Sequence, residues 1–141
     1  MLVEVYWSEL RSPRDPLWND RFCLYAYFHP QRDWLVYLGK ADFATVRQRL
    51  HGLHKRALFR DIARRYCLET GDVRVFHGEI VLQAGRRLSS VLLADAESLL
   101  IMRLAPFGNI QSRTTRIARP GLRVHCDGAW PFKRRRFHDS S

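Results

Sequence analysis

Residues 22–41 read Phe-Cys-Leu-Tyr-Ala-Tyr-Phe-His-Pro-Gln-Arg-Asp-Trp-Leu-Val-Tyr-Leu-Gly-Lys-Ala, and this stretch decides the fold. Side chains of a strand alternate between two faces. Over Phe22–His29, the side chains of Phe22, Leu24, Ala26 and Phe28 share one apolar face, and Cys23, Tyr25 and Tyr27 share the other. Trp34–Leu38 is a second strand, and His29–Asp33 between them is a loop of hairpin length. A hairpin symmetric about Gln31 sets Tyr25 directly across from Tyr37, with β-carbons about 5 Å apart. Two phenol hydroxyls would then reach one atom. In a protein without chemistry, the same pair only stabilises the sheet.

Outward from the hairpin, the elements follow in order. Asp42 serves as an N-cap for a helix through about Gly52. Val46, Leu50 and Leu53 form its apolar face, and Arg47 and His51 stand one turn apart on another. A second helix runs from about Lys55 to Leu68 and stops before Gly71. Arg56, Arg60 and Arg64 form a basic stripe along it. Val73–Leu82 reads as a third strand. Ser89 or Ser90 caps a helix to about Leu104, before Pro106. Within that helix Glu97 lies among Leu93, Ala94, Leu100 and Ile101, a carboxylate inside an apolar stripe. Burying an unpaired carboxylate costs several kcal/mol, so a cation must offset it, either a basic side chain or a metal.

Cys23-Leu24-Tyr25 followed by Tyr37-Leu38-Gly39 resembles the paired half-motifs of the GIY-YIG nucleases, with Cys23 where Gly is usual and Leu38 for Ile. Tyr27 offers a rival first tyrosine; the hairpin pairing favours Tyr25. Lys40-Ala41 resembles the excision-repair branch of that superfamily. Arg47 is similar to the family's helix arginine, with Arg49 as its rival, and His51 to a histidine found one turn further on in some members. Glu97-Ser98-Leu99-Leu100-Ile101, then Pro106-Phe107-Gly108-Asn109, resembles the closing pattern, in which a glutamate holds a divalent metal and a Pro-x-x-Asn turn follows. Gly39 and Asn109 then have structural or positioning roles.

The resemblance covers residues 22–110 and implies an α+β fold, a small three-stranded antiparallel sheet flanked by helices. Residues 1–21, with a short strand at Leu2–Trp7, read as an N-terminal arm, and residues 111–141 as a basic C-terminal extension. The implied activity is metal-dependent DNA endonuclease chemistry. Tyr25, Tyr37, Arg47, His51 and Glu97 would be catalytic, and Glu97 would hold Mg²⁺ or Mn²⁺. Arg47 would stabilise charge developing on the phosphate. Either Tyr25 or His51 would take the proton of the attacking water; a tyrosine near neutrality needs cations to lower its pKa, whereas histidine titrates near about 6.5. The alternative is a non-catalytic nucleic-acid-binding module on the same fold.

Bulk properties agree with a polyanionic partner. The chain of 141 residues carries 24 basic against 14 acidic side chains, a net charge of +10, and such an excess draws nucleic acid. Lys40, Arg49, Lys55, Arg56, Arg60 and Arg64 would rim the site. Residues 112–137 hold eight basic side chains against one acid, Asp127, and the run Lys133-Arg134-Arg135-Arg136 would meet phosphates, which position a protein without reading sequence. Trp130 and Phe132 would pack this segment on the domain, stack on bases or join two copies in a homodimer. No apolar run approaches the roughly 20 residues of a membrane span, and the chain reads as cytoplasmic. Cys23, Cys67 and Cys126 suggest no disulfide framework. A zinc site of His77, His125 and Cys126 fits no common ligand spacing, so the cysteines read as packing residues.

Overall fold

A computed structural model describes residues 1–52, 55–69, 72–112 and 119–139. Leu53, Gly71, Arg113 and Arg116 lie outside the described residues. The strands are β1 (Leu2–Glu9), β2 (Cys23–Phe28), β3 (Leu35–Ala41), β4 (Arg74–Val81), β5 (Arg123–Gly128) and β6 (Arg136–His138). The α-helices among the described residues are α1 (Val46–Leu50), α2 (Lys55–Tyr66) and α3 (Ser90–Leu104). All six strands form one sheet in the order β3-β2-β4-β1-β5-β6. It is mixed, because β1 and β5 run parallel while every other neighbouring pair is antiparallel.

This corrects the expected three-stranded antiparallel sheet. The three strands anticipated are present as β3-β2-β4, but β4 is not an edge. It pairs along its length with β1, from Glu4↔Val81 to Glu9↔Phe76. Residues read as an arm thus supply a central strand, and residues read as an extension supply β5 and β6. The reason is visible in burial: Val3, Val5 and Trp7 of β1, and Val124 and Cys126 of β5, alternate inward and are almost wholly buried. Leaving them at the side of a three-stranded sheet would expose a broad apolar surface.

The sheet buries both faces where it meets helices. On one, Leu24, Ala26, Phe28 and Leu38 join Val3, Val5 and Trp7 against Leu92, Leu93, Ala96, Leu99 and Leu100 of α3. Ser89 caps α3 by accepting from the Leu92 N–H, and Ala105 in the left-handed region ends it just before Pro106. On the other face Cys23, Tyr25, Tyr27 and Val75 pack with Val46 of α1 and Ile62 of α2.

Phe137 of β6 is fully buried in the first core. Replacing it with Ala should cost about 3–5 kcal/mol, read as a drop in urea midpoint. Truncation after Phe132 would act the same way, so the basic run cannot be removed without also removing core. Arg135 belongs to the framework too, since it donates to the carbonyls of Cys126 and Trp130.

Candidate active site

The hairpin register is corrected by two residues. Tyr27, not Tyr25, lies opposite Tyr37, and Tyr25 lies opposite Gly39. The hairpin is centred on Arg32 rather than Gln31, with a register shift between Tyr27 and Phe28. A two-residue slip preserves the face, so all three phenol rings meet. Ring centroids are 6.1 Å apart for Tyr25–Tyr37, 5.4 Å for Tyr27–Tyr37 and 5.3 Å for Tyr25–Tyr27.

Gly39 is what allows Tyr25 its position. A β-carbon there would stand 2.6 Å from both Cζ and the hydroxyl oxygen of Tyr25. Gly39→Ala should therefore displace the ring and cost about 1–3 kcal/mol, in the range of core overpacking. Near-ultraviolet circular dichroism would report the lost tyrosine packing, and urea unfolding the cost.

Lys55 enters this cluster from the first turn of α2. Its side chain is nearly fully buried, and Nζ donates to the Tyr25 hydroxyl at 2.7 Å. Nζ also sits 4.2 Å from the centre of the Tyr37 ring. Burial lowers the Lys55 pKa to about 8, helped by the nearby Arg49 charge and opposed by Glu97. Tyr25, Tyr27 and Tyr37 shift the other way: burial raises each phenol above its ordinary value. Cations near Tyr25 do not overcome that burial, so it does not serve as a phenolate at neutral pH.

β3 is one edge of the sheet, and Asn109, from the 3₁₀ segment after α3, and Glu97 of α3 occupy it. The Asn109 amide donates to the Leu38 carbonyl at 2.7 Å, and its oxygen accepts the Leu38 N–H at 2.8 Å. Both main-chain groups of Leu38 therefore point away from β2. Two residues on, Lys40 presents its N–H the same way, and Glu97 accepts it. Asn109 and Glu97 thus blunt a sheet edge that would otherwise offer unpaired groups. Glu97 is half-buried. Burial raises its pKa to about 7 despite the nearby cations Lys40 and Lys55, and Asp42 raises it further. Asp42 itself is held at about 2: against its burial act the Phe43 N–H, Lys40 and Arg49.

Arg49 takes the place expected of Arg47. It pairs with Asp42 and lies close enough to influence Tyr25, Tyr37 and Lys55. Arg47 instead donates to the Pro13 carbonyl at 2.7 Å and stacks 5.3 Å from the Trp18 ring. Thr45, rather than Asp42, caps α1 through a capping box with Gln48. Arg49 stands three residues after buried Val46, which puts it on the inward side of the helix, one position before Leu50. His51 is the C-cap of α1 and exposed. It lines an open cavity of about 450 Å³ together with Leu50, Gly52, Lys55, Arg56 and Phe59.

Of the basic rim, Arg56, Arg60 and Arg64 are exposed on α2, while Lys55 is inside. Lys133, Arg134, Arg135 and Arg136 are exposed but belong to the β5–β6 end. That end is five strands from β3, on the order of 20 Å at ordinary strand spacing. Lys55 is the functional candidate that sequence reasoning placed wrongly. Its signal was a charge in line with Leu58, Phe59 and Ile62, the same anomaly that marked Glu97.

Comparison of the chain with protein-family models, curated proteins and solved structures finds no match. No helix among the described residues is long and apolar enough to cross a membrane.

Proposed function

We propose that the chain is a GIY-YIG-type, metal-dependent DNA endonuclease whose chemistry is carried by Tyr25, Tyr37, Lys55, Arg49 and Glu97. The observation that supports this most is the meeting of those groups, from the hairpin and the three helices α1, α2 and α3, at the β3 edge. An aromatic pair that merely stabilised a sheet has no need of a buried lysine on one hydroxyl and a carboxylate beside the other.

Glu97 suits a divalent cation. It is a half-buried carboxylate whose charge burial disfavours and which accepts the Lys40 backbone N–H. Mg²⁺ is commonly held by one or two carboxylates with water and phosphate oxygens completing the shell. When bound, the cation supplies Lewis acidity toward a phosphate oxygen. The protein's own groups divide the rest. Arg49, oriented by Asp42, neutralises charge developing on the phosphate. Lys55, with a pKa brought near neutrality, accepts a proton by way of the Tyr25 hydroxyl. Tyr37, half-buried beside Tyr25, orients the attacking water. Arg56, Arg60 and Arg64 meet phosphates along the duplex.

The test is incubation of supercoiled plasmid with the protein in Mg²⁺, in Mn²⁺ and in EDTA. Nicked or linear product with either metal and none in EDTA is the expected result. The second reading, a nucleic-acid-binding module, draws on the near-complete burial of Tyr25 and Lys55. It predicts retarded but intact DNA in every lane.

A further inference from the structure

Asp20, Cys23 and His77 converge beside Tyr25, which follows Cys23 on the same face of β2 and pairs with His77 of β4, and the nuclease reading uses none of them. Their donor atoms, a carboxylate oxygen, a thiol sulfur and an imidazole nitrogen, all lie within 4.8 Å of one another. They come from three places in the chain: the turn after the 3₁₀ segment Pro16–Asn19, the start of β2, and the middle of β4. We propose that these three side chains form a zinc site.

The donor set selects the metal. Thiolate and imidazole suit Zn²⁺, whereas Mg²⁺ and Ca²⁺ require oxygen ligands. Ligands on a tetrahedral zinc stand about 3.5 Å apart, so small side-chain rotations close the set. Three protein ligands leave a fourth position for water. The Asp20 side chain is 42% exposed, which keeps an approach open, while His77 and Cys23 lie beneath it at 1% each.

Asp20 is already fixed for this role. Its carbonyl accepts the Val46 N–H at 3.2 Å, its N–H donates to the Leu17 carbonyl at 3.1 Å, and its Oδ1 accepts the Arg21 N–H at 2.9 Å. Oδ2 is left directed at His77 Nε2, 2.7 Å away. Between Asp20 and Cys23 the chain turns through Phe22, a non-glycine residue at φ +55°. That conformation costs on the order of 1–3 kcal/mol and persists where surrounding contacts over-determine it. A carboxylate–imidazole pair alone would satisfy a buried histidine. It does not require the strained turn that brings a thiol to the same point. Bound zinc would tie the Asp20 turn to β2 and β4, and its coordination would hold the Cys23 thiol deprotonated.

The experiment is titration of the tag-free, full-length chain with Co²⁺ alone, followed by Zn²⁺ competition. One equivalent of Co²⁺ should give a thiolate-to-cobalt charge-transfer band that Zn²⁺ abolishes. Cys23→Ser should lose the band, and Cys67→Ser and Cys126→Ser should keep it. If Cys23→Ser fails to fold by circular dichroism, Asp20→Asn, at a half-exposed position, decides: metal affinity should fall at least about tenfold. Absence of the band, its survival in folded Cys23→Ser, or unchanged affinity in Asp20→Asn would overturn the proposal. None of these readouts depends on nuclease activity.

Discussion

Glu97→Gln is expected to reduce DNA cleavage about 10³-fold or more, with affinity for DNA equal or slightly raised. The substitution keeps the side chain's size, and its amide oxygen still accepts the Lys40 N–H, so the β3 edge stays covered. What is lost is the negative charge. Metal-assisted stabilisation of transition-state charge is worth several kcal/mol, and each 1.36 kcal/mol is tenfold in rate. If the surface faces phosphates as proposed, removing a negative charge from it does not weaken binding. Wild type carries a further signature. Because burial sets the Glu97 pKa at about 7, apparent Mg²⁺ affinity should fall about tenfold per pH unit below that value, as metal must displace a proton. Glu97→Gln should show no such dependence. Cleavage rate against Mg²⁺ concentration at several pH values, with gel retardation in EDTA for affinity, measures both.

Lys55→Met should lower the single-turnover rate by about 10²–10⁴, the usual contribution of a positioned general base. Methionine fills the same buried channel without the amine, so packing changes little. The sign of the pH effect follows from the lowered pKa. Lys55 becomes a neutral amine as pH rises through about 8, so the wild-type rate at saturating metal should climb up to that pH and level above it. Lys55→Met should be slow and flat across the same range. Lys55→Arg separates base from cation: it keeps a positive donor near Tyr25 but cannot deprotonate. Activity in Lys55→Arg equal to wild type would assign Lys55 an electrostatic role instead.

The elements nearest the hairpin were legible because each carried its own periodicity. The tyrosine face survived a misplaced register, since pairing shifted by two residues and the period of a strand is two. Glu97 announced itself as a charge among leucines. Four things escaped. The place of the Leu2–Trp7 strand in the sheet did, with β5 and β6, because the parallel pairing of β1 with β5 joins segments far apart in sequence and leaves no local mark. Arg49 reads as the rival of Arg47 because a two-residue step puts it on a different side of the helix, and that side, three residues after buried Val46, is the one turned to the tyrosines. Lys55 reads as one more cation of the basic helix that carries Arg56, Arg60 and Arg64, and only its burial in the folded chain sets it apart from them. Asp20, Cys23 and His77 escaped for a similar reason to β1. Only the folded sheet brings residues from the arm, β2 and β4 together.

The central claim, that the groups at the β3 edge cut phosphodiester bonds, is tested most directly on a preformed complex. An end-labelled duplex is bound by excess protein in EDTA, Mg²⁺ or Mn²⁺ is added in excess, and strand length is followed with time. Burst cleavage of the bound duplex, starting only on metal addition, is the predicted result. A duplex that stays bound and intact at every concentration of either metal would contradict the account and leave a binding protein in its place.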